Sequence, residues 1–149
     1  MEIRELRSEE RHIWLQMRSA LWPDFAREEL IREQDKILGN PQRNSVFLAT
    51  EADAGAIGFI EVALRDWAEG CGTHPVGYIE AWYVEPDWRR SGVGAGLVAA
   101  AERWALAKGC SEMGSDIELE NDVSYAAHAA LGYAEISRLV TFSKKLSGF

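Results

Sequence analysis

The sequence predicts an α/β domain in which one sheet, with a parallel pair at its centre, is flanked by helices. Three observations carry that expectation. The second half of the chain alternates strand, helix, strand, helix and strand, an order that sets strands parallel with helices crossing between them. The middle holds a β-rich hairpin signal. The region before it has helical periodicity preceded by a short strand.

The elements follow in chain order. Residues 3–7 alternate apolar and charged side chains as a short strand does, and Ser8 with Glu9-Glu10 marks a helix start with Ser8 as its cap. Ile13, Trp14, Met17, Leu21 and Trp22 recur at helical spacing until Pro23. Residues 28–38 resume the period until Gly39-Asn40-Pro41 stops it, so two helices are expected. Residues 46–50 and 56–64 are β-rich runs around the turn Asp53-Ala54-Gly55, an antiparallel hairpin. A polar, glycine-containing connection over 65–75 leads to a strand at 76–84. Residues 94–108 form an Ala/Leu-rich helix closed by Gly109; then come a strand at 112–117, a helix at 122–131 ended by Gly132, and a last strand at 136–144.

Composition narrows what such a fold does. A chain of 149 residues is expected to form one domain, residues 1–149, around one core. No apolar run approaches the roughly 20 residues needed to span a bilayer, and the start Met1-Glu2-Ile3-Arg4-Glu5 has no secretory pattern, so a cytoplasmic protein without a membrane partner is expected. The net charge of -8 repels phosphates and argues against nucleic acid; it suits cationic ligands, or solubility alone. Cys71 and Cys110 lack metal-ligand spacing and are expected as free thiols, with no metal bound.

The segment Arg89-Arg90-Ser91-Gly92-Val93-Gly94-Ala95-Gly96 lies between a strand and a helix, where backbone amides cradle a phosphate. Glycines remove the Cβ atoms that would hold a diphosphate off, and Arg89 and Arg90 add charge-assisted donors. The plainer reading is a tight loop with a glycine-rich helix start. No Gly-Lys-Ser/Thr follows, so it is not a Walker loop.

Arg89-x-x-Gly92-x-Gly94, preceded by Trp82-Tyr83-Val84-Glu85-Pro86 and followed by Asn121, Gly132 and Tyr133, resembles the GNAT superfamily of N-acetyltransferases. The resemblance covers nearly the whole chain. It implies an α+β fold whose mixed, mostly antiparallel central sheet has a splayed central parallel pair and flanking helices. It implies acetyl-CoA as co-substrate, held by Trp82, Tyr83, Val84, Arg89, Arg90, Ser91, Gly92, Val93, Gly94, Ala95 and Asn121. The amides from about Arg90 to Ala95 would take the diphosphate. Val84 and its neighbours would pair with the pantetheine arm and aim a backbone amide at the thioester oxygen, where a fixed donor stabilises developing charge.

Within the superfamily the chain is similar to bacterial aminoglycoside 6'-N-acetyltransferases. The similarity rests on Pro75-Val76-Gly77-Tyr78-Ile79-Glu80, Arg89-Arg90-Ser91-Gly92-Val93, Ala101-Glu102-x-Trp104-Ala105, Gly114-Ser115-Asp116, Glu120-Asn121, His128-x-x-Leu131-Gly132-Tyr133 and Phe142-Ser143-Lys144-Lys145. In the first half Leu21-Trp22-Pro23-Asp24 is the main matching piece. That subgroup implies resistance to an aminoglycoside antibiotic, a homodimer, and a substrate site containing Trp22, Trp67, Glu80, Asp116 and, with low weight, Glu135.

Chemistry supports the two acids. Glu80 stands in an apolar strand four positions before Val84, and Asp116 ends the next strand, so both can face the place where acetyl group and amine meet. The plainer reading of each is a solvated charge at a strand end; that of Trp22 is a core aromatic on an amphipathic helix. An incoming primary amine is mostly protonated, with a pKa near ~10, and must lose a proton before attack. Glu80 or Asp116 are the candidate bases, and no Ser-His-Asp or Cys-His arrangement points to an acyl-enzyme. Where the superfamily often has a tyrosine to protonate the leaving thiolate, this chain has His128, with Tyr125 a turn earlier. His128, Tyr125 and solvent remain open for that role, beside a merely packed histidine. A polyamine or protein amine as acceptor, and a silent acyl-CoA-binding module, are the rival readings.

Overall fold

The computed structural model describes residues 1–148. They divide into two compact units, Met1–Asp116 and a second from Ile117 onward. In the first, β1 (Glu2–Glu5), α1 (Arg11–Leu21), α2 (Arg27–Leu38), β2 (Asn44–Glu51), β3 (Gly55–Arg65), β4 (Val76–Val84), α3 (Val93–Ala107) and β5 (Met113–Ser115) follow one another. The strands lie in sequence order in one sheet, antiparallel from β1 through β4, with β5 parallel to β4. β2 and β3 form a hairpin, β1 reaches β2 through α1 and α2, a longer connection joins β3 to β4, and the parallel step from β4 to β5 runs through α3.

The alternation of the strands divides the helices between two faces. On β3 a Cβ at Gly58 would meet Leu97 of α3, while the neighbouring Phe59 belongs to a buried cluster with Trp14 and Met17 of α1. Val46, Leu48, Ala81 and Tyr83 complete that cluster from β2 and β4. Leu97, Val98, Ala101 and Ala105 form the buried stripe of α3.

One charged group is built into the α1 side. Glu61 of β3 is 2 % exposed and accepts three bonds: from Trp14 Nε1 at 2.9 Å, Arg18 Nε at 2.7 Å and Arg18 Nη2 at 3.2 Å. Burial pushes the Glu61 carboxyl up, and the Arg18 fork and the indole oppose that push. Arg18, itself buried, also donates to the Leu30 carbonyl of α2 at 3.1 Å, so both helices are tied to the sheet through one guanidinium.

Three expectations change. Ser8 does not cap α1; residues Ser8–Glu10 form a short 3-10 turn in which the Glu10 carboxylate accepts the Arg7 amide at 2.9 Å. The Arg4 guanidinium forks onto the same carboxylate and holds its pKa down at about 2. The strand expected at 112–117 contracts to Met113–Ser115 because its ladder with β4 ends there.

In the second unit α4 (Asp122–Ala130) forms as expected, but the strand expected at 136–144 is absent: beyond α4 the described residues adopt neither helix nor strand. The composition there is strand-like, yet a strand needs a partner for its ladder, and all pairing among the described residues involves β1 to β5 alone. Ile136, Leu139, Val140 and Phe142 are exposed instead. The mixed, mostly antiparallel sheet is as expected, with its parallel pair at the end of the strand order because no further strand follows β5.

Replacing Glu61 by alanine leaves the buried Arg18 guanidinium with only Glu33 and the Leu30 carbonyl, so Glu61→Ala is expected to cost about 3 kcal/mol of unfolding free energy. Urea denaturation of the variant and the parent measures this; a loss below about 1 kcal/mol would show that Arg18 finds another partner.

Candidate active site

The ladder between β3 and β4 slips once. Glu61 faces Ala81 and Val62 faces Ile79, so Glu80 is an extra residue on β4 with no partner on β3. Such a bulge bends the strand and re-aims a side chain. Glu80 is accordingly the one exposed residue in a strand that is otherwise buried or half-buried. On the other edge β5 pairs with β4 only at Gly77, Tyr78 and Ile79. Asp116 follows the last paired residue of β5, and Glu80 follows that of β4, so the parallel register brings the two acids to the same level. Beyond them β4 runs on from Ala81 to Val84 without a β5 partner.

Two residues connect the acids. Arg65, the last residue of β3, donates to Glu80 through Nε at 2.9 Å and Nη2 at 2.7 Å, and its Cζ lies 3.5 Å from the centroid of the Tyr78 ring. The Tyr78 hydroxyl donates to Asp116 Oδ2 at 2.6 Å. Burial first, then the Asp116 carboxylate, push the Tyr78 phenol well above its ordinary range, so it stays a donor. Sequence reasoning singled out both acids but neither Arg65 nor Tyr78. Arg65 reads as the start of a polar connection, and Tyr78 as one more apolar strand residue; neither pattern signals the bulge that unites them.

The glycine turn is built from strained backbone. Arg90 has φ 62°, and Gly92, the residue that precedes α3, has φ 87°. A left-handed residue there turns the chain sharply so that the first-turn amides of α3, which have no acceptor within the helix, point outward. A Cβ on Gly92 would meet nothing within 4 Å, so the space above the turn is open. Gly94 differs: its Cβ would come within 3.0 Å of the Trp82 ring, so this glycine lets α3 approach β4. Arg89 Nε donates to the Val84 carbonyl at 2.9 Å, with the guanidinium 5.8 Å from the Tyr83 ring. Ser91 Oγ donates to the Trp88 carbonyl. Trp82, Tyr83, Val84 and the turn from Arg89 to Ala95 therefore form one continuous stretch of β4, turn and helix start.

The aromatic candidates part company. Trp67 is 68 % exposed in the connection after β3. Trp22 ends α1, half-buried against the core cluster, with the Arg18 guanidinium 4.9 Å from its ring and Phe25 edge-on at 6.2 Å.

In the second unit Asn121 precedes α4 and its side-chain oxygen accepts the Ser124 amide at 3.1 Å, a helix cap. His128 Nδ1 lies 2.7 Å from the Ser124 carbonyl, an acceptor only, so Nδ1 carries the proton. Its ring meets Tyr133 edge-on at 5.7 Å. Tyr125 donates its hydroxyl to Glu135 Oε2 at 3.0 Å, and Arg138 pairs with the other oxygen of Glu135. That pairing, then the phenol, hold the Glu135 carboxyl below its ordinary range. Cys71 and Cys110 are free thiols. Among the described residues no helix is long and apolar enough to cross a membrane, and no three His, Cys, Asp or Glu side chains cluster as metal ligands.

Comparison with known proteins adds the family. The chain is 42% identical over 135 residues to aminoglycoside N(6')-acetyltransferase type 1 of Klebsiella aerogenes, covering 89% of each chain. With the enzyme of that name from Salmonella enteritidis it is 36% identical over 146 residues, 97% of this chain and 99% of the other. Among solved structures it is similar to AAC(6')-Iy in complex with the bisubstrate analogue CoA-S-monomethyl-acetylneamine, with TM-score 0.89, 34% identity and 97% of each chain covered. It is also similar to the apo aminoglycoside 6'-N-acetyltransferase from Acinetobacter haemolyticus, with TM-score 0.90, 35% identity, and 99% of this chain and 100% of that one covered. The family model described as Acetyltransferase (GNAT) family matches residues 12–133, from α1 through α4, and the chain belongs to that family.

Proposed function

We propose that this chain, as a single acetyltransferase domain over residues 1–149, transfers acetyl from acetyl-CoA to the 6'-amine of an aminoglycoside antibiotic and so confers resistance. The observation that carries the reading is the pairing of Glu80 and Asp116 at one level where β4 runs on beyond its β5 partner, in a chain 42% identical to an enzyme of that activity. The family match runs across the boundary between the two units, which supports treating them as one domain.

Acetyl-CoA, when bound, supplies the acetyl group as a thioester. The residues present fit it: the turn from about Arg90 to Ala95, with the first-turn amides of α3 and open space above Gly92, would hold the diphosphate, and the stretch of β4 at Trp82, Tyr83 and Val84, beyond its β5 partner, would take the pantetheine arm. Acceptor binding falls to Glu80, Asp116, Trp22, Trp67 and Glu135. We assign Asp116 the amine's proton, because it is engaged by Tyr78 through one oxygen, whereas both Glu80 oxygens hold a guanidinium, the geometry of a cation-binding group. Glu80 then works as a cation-binding group. His128 is the acid for the departing sulfur; with Nδ1 committed to the Ser124 carbonyl, it would act through Nε2. A cytoplasmic homodimer completes the reading: a second copy would cover the exposed Ile136, Leu139, Val140 and Phe142.

A thiol-release assay with acetyl-CoA and three acceptor classes tests the substrate: aminoglycosides bearing a 6'-amine are expected to react, while polyamines and peptides lag. Release with a peptide and none with aminoglycoside would overturn it. Asp116→Asn is expected to lower kcat with aminoglycoside about 100-fold or more while leaving the acetyl-CoA KM nearly unchanged. Gly92→Val, which forces a β-branched residue to positive φ and fills the space above the turn, should instead raise the acetyl-CoA KM about tenfold, a loss of about 1.4 kcal/mol. Equal effects of both variants on both substrates would show the subsites misassigned. Light scattering checks the dimer: Val140→Asp with Phe142→Asp is expected to shift the mass to that of one chain, and a parent protein already of that mass would refute it.

A further inference from the structure

A cation already stands where the acids would hold one. The Arg65 guanidinium engages both Glu80 oxygens, at 2.9 and 2.7 Å, and lies flat against the Tyr78 ring, 3.5 Å from its centroid. A carboxylate and an aromatic face are the two surfaces that recognise an ammonium, and Arg65 takes both at once. Its side chain is 41% accessible and that of Glu80 33%, so a solute can reach the pair. An ion pair this exposed contributes little to stability, and it opens at small cost.

We propose that Arg65 is a specificity-determining residue that acts as a built-in competitor: its guanidinium fills the cation subsite formed by Glu80 and Tyr78, and an acceptor enters by displacing it. The inference rests on the aminoglycoside reading and extends it. A tethered guanidinium is present at high effective concentration beside Glu80, so an acceptor with one ammonium group displaces it poorly. A polycation displaces it because its other ammonium groups are held elsewhere in the acidic site, Asp116 among the acids. Arg65 thereby favours acceptors with several positive charges over the monoamines of the cell.

Arg65→Met keeps an apolar stem over Tyr78 and removes the charge. Steady-state kinetics with a kanamycin-type aminoglycoside and with a simple primary monoamine, together with calorimetric binding of both, are expected to give a lower KM and Kd for each acceptor. The fall is about threefold for the aminoglycoside and larger for the monoamine. The acetyl-CoA KM should stay within about twofold. Arg65→Lys should restore the parental values, and in a Glu80→Gln background Arg65→Met should bring no gain. A raised aminoglycoside KM in Arg65→Met, or an equal gain in the Glu80→Gln background, overturns the proposal while leaving the aminoglycoside reading intact. Failure of aminoglycoside to bind or react with both the parent and Arg65→Met overturns the reading and the proposal together.

Discussion

The rest of the site depends on Glu61. It stands opposite Ala81 at the one slip in the β3–β4 ladder, and its buried carboxylate is held by Trp14 and Arg18 of α1. Both facts act on the same stretch of sheet. The ion pair fixes α1 and, through the Leu30 carbonyl, α2 against β3 at the level where β4 bulges. The bulge turns Glu80 outward beside Asp116. A buried charge fully bonded in this way is costly to disturb, so the register that exposes Glu80 has a rigid support behind it.

The two ends of the site use different physics. In the proposed reading the donor side is mostly backbone: β4 beyond its β5 partner, the left-handed Arg90 and Gly92, and the first turn of α3. Amides carry fixed partial charge and need little rearrangement when a phosphate or a carbonyl oxygen arrives. On the acceptor side the groups are side chains, Glu80, Asp116, Tyr78 and Arg65, joined in one chain of contacts. Here the positive charge of Arg65 sits inside a protein whose net charge is -8, so the general acidity attracts cations while the immediate subsite holds its own.

Periodicity made the helices, the hairpin and β4 legible in the sequence, because each buries a regular face: α1 by Trp14 and Met17, β3 and β4 by long apolar runs. The acids were legible as charges out of place in apolar strands. Arg65 and Tyr78 were not, since their roles come from a one-residue slip in register, which no local pattern encodes. The strand expected at 136–144 failed for a related reason. Alternation and β-branched residues state a preference for a strand, but only a neighbouring strand makes one, and the described residues of the chain pair none with it. Gly94 shows the converse. It belongs to a motif read as phosphate-binding, and the contact its hydrogen permits is with the Trp82 ring.

This division of labour explains what each kind of reading can reach. A donor site built from backbone tolerates few changes of glycine or register, so the turn, read together with the strand before it and the motifs after it, ties the chain to its family. An acceptor site built from side chains can be retuned one residue at a time with little disturbance of the sheet: Arg65 is 41% accessible at its side chain and lies at the end of β3, where its one core neighbour is the face of Tyr78. In the reading proposed above, specificity among amines rests on residues such as Arg65, whose contribution is the competition they offer, while catalysis rests on the groups that the bulge and the parallel pair hold in place. Selection on the acceptor can act at the first without loosening the second.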